Sequence, residues 1–134
     1  MEKFKHCSKN LNGSSKVVFT AQSCKNFHLK MIICRHAFLK GVIPLNPFNA
    51  FGYYLNELVE RDSVRNANNV LLDRCDELWV YGQISDGVLA EIERFKKSGK
   101  PIKFFDIFNI NEIKEISKNE LVFEDDLKKY NDLI

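Results

Sequence analysis

The chain has 134 residues, enough for one domain with a packed core. Its apolar fraction of 45% and charged fraction of 28% read as an ordinary globular composition, and a net charge of +2 gives no ground for a nucleic-acid partner. No stretch approaches the ~18 consecutive apolar residues of a membrane span, so no membrane partner is expected and the expected location is cytoplasmic.

In chain order, MEKFKHCSKNLNGSSK has no apolar core of a secretory signal. It reads as a polar, flexible leader over 1–15, before a single domain over 16–134. Lys16 to Ala21 is rich in β-formers and predicts a first strand. Lys25 to Lys40 carries Phe27, Met31, Ile32, Cys34, Ala37 and Phe38 at mostly three- and four-residue steps, which predicts a helix stopped by Gly41. Val42 to Leu45 predicts a short strand, and Asn46 to Tyr54 an irregular aromatic segment. Leu55 to Arg74 predicts a helix, with Leu58, Val59, Val64, Ala67, Val70 and Leu71 as its stripe. Leu78 to Tyr81 is nearly all apolar, as in a strand buried on both faces.

Ser85 is a natural N-cap for a helix running to Ser98, and Asp86 suits the positive end of its dipole. Gly99 and Pro101 end it, and Ile102 to Phe105 predicts a fourth strand. The charged tail from Asn109 to Ile134 is expected to be mostly helical, with a break or short strand near Leu121 to Phe123. Alternation of strands and helices predicts an α/β domain with a mainly parallel sheet of four to five strands.

The four cysteines, Cys7, Cys24, Cys34 and Cys75, include no CxxC pair. They read as reduced thiols rather than a zinc site or disulfide framework. His28 and His36 could share a helix face but lie two turns apart, too far to bind one metal. No metal and no cofactor is expected.

In an open parallel sheet, ligands bind beyond the carboxyl ends of the strands. Three loops lead out there: Gln22 to Lys25, Asn46 to Tyr54, and Gly82 to Gly87. The last meets a helix N-terminus, so Ser85, Asp86 and Gly87 are candidates to hold a phosphate or a sugar hydroxyl. Phe48, Phe51, Tyr53 and Tyr54 could stack on a base, Phe48 first among them. Arg61 and Arg65 lie one turn apart and could reach a phosphate. Glu91 falls three residues after Val88 and four before Phe95, on the apolar side of its helix. A carboxylate there needs a partner or a cavity, and Arg94 is a candidate partner.

The segments VVFTA, GVIPLNPF from Gly41, LLDRCDELWVYGQISDGVLAEI from Leu71 and GKPIKFF from Gly99 resemble the nucleoside 2-deoxyribosyltransferase-like superfamily. The similarity is nearest to an uncharacterised bacterial and phage branch of that group, and it spans Lys16 to about Asp106. It implies a flavodoxin- or Rossmann-like three-layer sandwich. It implies attack on an N-glycosidic bond of a nucleoside or nucleotide, with Glu91 at the position of the catalytic glutamate. It places Phe19 where the family's assisting tyrosine stands, Gln22 in the loop after the first strand, and Ser85 and Asn68 at positions of family aspartates. The candidate site is therefore Glu91 as nucleophile, with Phe19, Gln22, Phe48, Ser85, Asp86 and Gly87 around the substrate. A homodimer or larger homo-oligomer is implied as well. The alternative is a protein of the same fold that binds a nucleotide without turning it over.

Overall fold

The computed structural model describes residues 1–52 and 57–134. Five strands form one sheet: β1 (Val17–Gln22), β2 (Ile43–Leu45), β3 (Glu77–Tyr81), β4 (Ile102–Asp106) and β5 (Lys114–Ile116). The spatial order is β2-β1-β3-β4-β5. The β1–β2, β1–β3 and β3–β4 pairs are parallel, and the β4–β5 pair is antiparallel. The helices are α1 (Lys30–Leu39), α2 (Pro47–Phe51), α3 (Arg61–Asp73) and α4 (Asp86–Lys96). The α/β class and the mainly parallel sheet are as expected.

Side-chain alternation along the strands sorts the core into two clusters. Phe19, Ala21, Leu78, Val80 and Phe104 pack with Leu72 of α3 and with Val88, Leu89, Ile92 and Phe95 of α4. Val18, Trp79, Tyr81 and Phe105 pack on the other face, with Ile33 and Ala37 of α1. β3 is buried along its whole length, which is why it carries no polar alternation.

Several boundaries differ from the sequence reading. The helix expected from Lys25 begins instead as 3-10 turns over Cys24–Leu29, where Asn26 leaves helical geometry, and only then becomes α1. Met31 and Phe38, expected on its apolar side, are exposed. Gly41 does end the helix, at φ 85°, where a side chain would be strained. α2 puts a short helix, capped by Asn46, inside the segment read as irregular. α3 starts at Arg61 rather than Leu55 because Glu60 is extended, and Leu58 and Val59 are exposed rather than part of a stripe. Of that predicted helix, Leu55 and Asn56 lie outside the described residues, as do Tyr53 and Tyr54 of the aromatic segment.

The tail is the largest departure. In place of a mostly helical segment it forms β5 and two 3-10 stretches, Lys118–Glu120 and Leu127–Leu133. Asp125 at φ 52° interrupts any helix there. Its scattered apolar residues, Leu121, Phe123, Leu127, Leu133 and Ile134, settle singly on the α3–α4 cluster instead of forming a helical stripe. Residues 1–16 are exposed throughout. Among the described residues no helix is long and apolar enough to cross a membrane.

Candidate functional site

The crevice beyond β1 is filled by the chain's own polar groups. Thr20, Gln22, Ser23 and Asn46 are all buried there. Asn46 Nδ2 donates to Thr20 Oγ1 at 3.0 Å and to Gln22 Oε1 at 2.8 Å, and Gln22 Nε2 donates to the Asn26 carbonyl at 2.6 Å. The tail closes this network from outside. Ile84 and Phe123 form a parallel bridge, and Ser23 Oγ donates to Glu124 Oε2 at 2.6 Å. Lys25 pairs with the same carboxylate at 3.6 Å. Buried polar groups satisfied in this way are costly to break. Asn46→Ala removes two of these bonds and the α2 cap. The expected loss is about 2–3 kcal/mol, read as a lower urea midpoint with unchanged slope.

Gly82, at the end of β3, has φ 82°, and a Cβ built on it would stand 2.9 Å from Ile107 Cδ1. The backbone therefore turns there against β4's exit, and the chain enters α4 through the cap residue Ser85. Ser85 Oγ accepts from Val88 N at 3.3 Å, and Asp86 Oδ1 accepts from Gly87 N at 2.7 Å. Ser85 is buried, whereas Asp86 and Gly87 are exposed.

Glu91 lies a turn and a half along α4, half-buried and facing α3. Asn68 Nδ2 of α3 donates to its Oε2 at 2.9 Å. No cation reaches Glu91 among the described residues. Arg94, the partner considered from sequence, forms a bidentate pair with Asp73 instead, at 2.8 and 2.7 Å. Without a cation, burial pushes the Glu91 pKa up to about 7, and the Asn68 hydrogen bond pulls it down by less. The other end of the same amide, Asn68 Oδ1, is buried and has no partner.

The predicted site residues divide between the two faces of the sheet. Glu91, Ser85, Asp86 and Gly87 share α4, and Phe19, fully buried, belongs to the cluster beneath it. Gln22 alternates to the α1 side. Phe48 packs there too, edge-on to Phe27 with ring centroids 5.2 Å apart. Arg65 pairs with Asp62 at 3.0 Å, and Arg61 is exposed.

The family model of DUF7768, a domain of unknown function, matches residues 17–105. The chain belongs to this family. No curated protein matches it. The DUF7768 region runs from the first residue of β1 into β4, so it contains the parallel strands, Asn68 and Glu91. β5 and the tail that closes the β1 crevice lie beyond it.

The Glu91 pKa has a consequence for stability within this DUF7768 domain. Its folded value is about 7 against an ordinary 4.5. The unfolded chain therefore ionises first, and native stability falls as pH rises from 4.5 to 7, then levels off. Glu91→Gln removes that penalty. The variant is expected to be more stable than the parent at pH 8, by on the order of 2–3 kcal/mol. The difference should shrink toward zero below pH 4.5, measured by urea unfolding across the range.

Proposed function

We propose that this chain cleaves or transfers at the N-glycosidic bond of a nucleoside or nucleotide, with Glu91 as nucleophile. The observation that carries the reading is the Glu91–Asn68 pair: a half-buried carboxylate held by an amide at 2.9 Å, with no cation to neutralise it. A carboxylate positioned by a neutral donor has no ion pair to break before it attacks, and a pKa of about 7 leaves it part-ionised at neutral pH. The resemblance to the nucleoside 2-deoxyribosyltransferase-like superfamily supports the same residue. The strand order 2-1-3-4-5 suits the flavodoxin-like three-layer sandwich that the resemblance implies, with an antiparallel edge strand.

In this mechanism the Glu91 carboxylate attacks the anomeric carbon while the C–N bond breaks. The bonding pair leaves on the base nitrogen, which takes a proton from solvent or a neighbouring acid. Water, or the nitrogen of a second base, then displaces Glu91 from the glycosyl ester. These are the requirements of retaining glycoside chemistry. The working protein is a homodimer in a cytoplasmic setting on this reading.

A second reading, nucleotide binding without turnover, has its own support. Phe19 stands where the family has a tyrosine, and it is fully buried with no hydroxyl to offer. Ser85 serves as a helix cap where the family has an aspartate. Free-base release and ligand-induced thermal shift, measured in parallel over ribo- and deoxyribonucleosides and their monophosphates, separate the two. Base release lost in Glu91→Ala supports the enzyme. A thermal shift without base release supports the binder.

A further inference from the structure

Charge is divided unevenly along the chain. Every acidic residue except Glu2 follows Asn56. α1 lies in the stretch without acids, and it is apolar on two sides. Ile33, Cys34 and Ala37 are buried against the sheet. On the outer side Met31, Arg35 and Phe38 follow at steps of four and three, with Leu39 beside them. All four are exposed, Phe38 to 63%. A helix apolar on both sides is the pattern of a buried one, so this outer side lacks a cover. Arg35, at its centre, has no ion pair among the described residues. Lys30 has none either, and its Nζ lies over the Phe27 ring, 3.9 Å from the centroid.

The acidic half of the chain carries the complement. A cavity of about 590 Å³ opens beyond the carboxyl ends of β3 and β4, within the ~300–1,000 Å³ of clefts that enclose a sizeable body. Its lining holds Asp106, Glu120 and Glu124 and no Lys, Arg or His. Glu124 is taken by Lys25 and Ser23. Asp106 and Glu120 are exposed, and they accept only from the backbone N–H groups of Phe108 and Ser117. Neither has a cation paired to it among the described residues. Phe108, 98% exposed, and Val122 give the same cavity an apolar rim. Leu29 lines it as well, and α1 begins at the next residue, so the two surfaces adjoin.

We propose that the outer face of α1 docks in this cavity on a second copy of the chain, Arg35 reaching Asp106 and Glu120 while Met31 and Phe38 cover Phe108 and Val122. One contact then buries both exposed apolar surfaces and pairs the charges of each with those of the other. A two-fold axis at their junction sets each surface against its complement and closes the assembly at two copies. Nucleic acid would leave Met31 and Phe38 uncovered, and an anionic bilayer would leave the acidic cavity uncovered. The contact gives a surface to the homodimer of the reading above and does not rest on the chemistry of Glu91.

Sedimentation velocity of the chain across concentration and salt tests this contact. A monomer–dimer equilibrium is expected, weakened by added NaCl because its ion pairs are screened. Arg35→Glu is expected to raise the dimer Kd by about tenfold or more, and Asp106→Lys/Glu120→Lys likewise. The two charge reversals combined in one chain should return the Kd toward that of the parent, which a folding defect would not do. Each variant's thermal transition checks its fold. If a charge variant does not fold, Phe38→Ser, at an exposed position, must still raise the Kd. Glu91→Ala should dimerise as the parent does, so a monomeric parent that still releases base overturns this inference alone. A parent that stays monomeric at on the order of 100 μM overturns it. So does a dimer whose Kd neither Arg35→Glu nor Phe38→Ser moves. Binding of the parent to phosphatidylglycerol vesicles that Arg35→Glu abolishes, with the protein's mass in solution unchanged, overturns it too.

Discussion

Glu91→Ala is expected to lower base release from the best nucleoside or nucleotide substrate by roughly 10³-fold or more, the usual scale for loss of a covalent nucleophile. Glu91→Gln should be equally inactive while keeping the volume and the Asn68 contact, which separates loss of charge from loss of packing between α3 and α4. Because the attacking form is the carboxylate, and burial pushes its pKa up to about 7, kcat/KM should climb with pH and level off above about 7. Asn68→Ala removes the bond that favours ionisation. The profile should then shift to higher pH, and the rate at neutral pH should fall by about 10- to 100-fold. Base release that survives Glu91→Ala would end the glycosidic reading outright. A flat profile in an active parent would mean that some other group limits the reaction.

The pairing of Glu91 with Asn68 explains why sequence alone reached only half of this site. The spacing from Val88 to Phe95 located Glu91 on the inner side of α4, because helical periodicity is a local property. Its partner is not local. Asn68 lies 23 residues earlier, on another helix, and Arg94 looked equally able to serve until Asp73 claimed its Nε and Nη2. The same limit applies beyond β1. The run VVFTA announces a strand, and nothing near it announces that Glu124, 101 residues on from Ser23, will close the crevice at its end. Strand order is legible only through alternation of elements. The tail defeated the reading because its apolar residues have no shared period, so neither helix nor strand was written into them before they met α4. Gln22 shows a further limit. A strand-end loop reads as accessible, and the structure commits both polar ends of that side chain to internal bonds.

Phe19→Ala should cost about 3–5 kcal/mol, the range for deleting a buried aromatic ring, and lower the thermal midpoint by roughly 10–20 °C. The ring is fully buried on the interior strand β1, against the cluster that carries α3 and α4, so its removal leaves a void between the sheet and both helices. The more telling variant is Phe19→Tyr, which restores the hydroxyl that the family resemblance expects. A phenol buried in this cluster needs a hydrogen-bond partner, and the surrounding side chains named in the cluster, Leu78, Val88 and Ile92 among them, have none to give. The expected result is a loss of about 1–3 kcal/mol and no gain in rate. If Phe19→Tyr is instead as stable as the parent and releases base faster, its hydroxyl has found Glu91, and β1 takes part in the site directly. Thermal denaturation and base release on the same preparation decide between these outcomes. They also decide whether Phe19 serves the chemistry or only the packing that holds α4, and with it Glu91, in place.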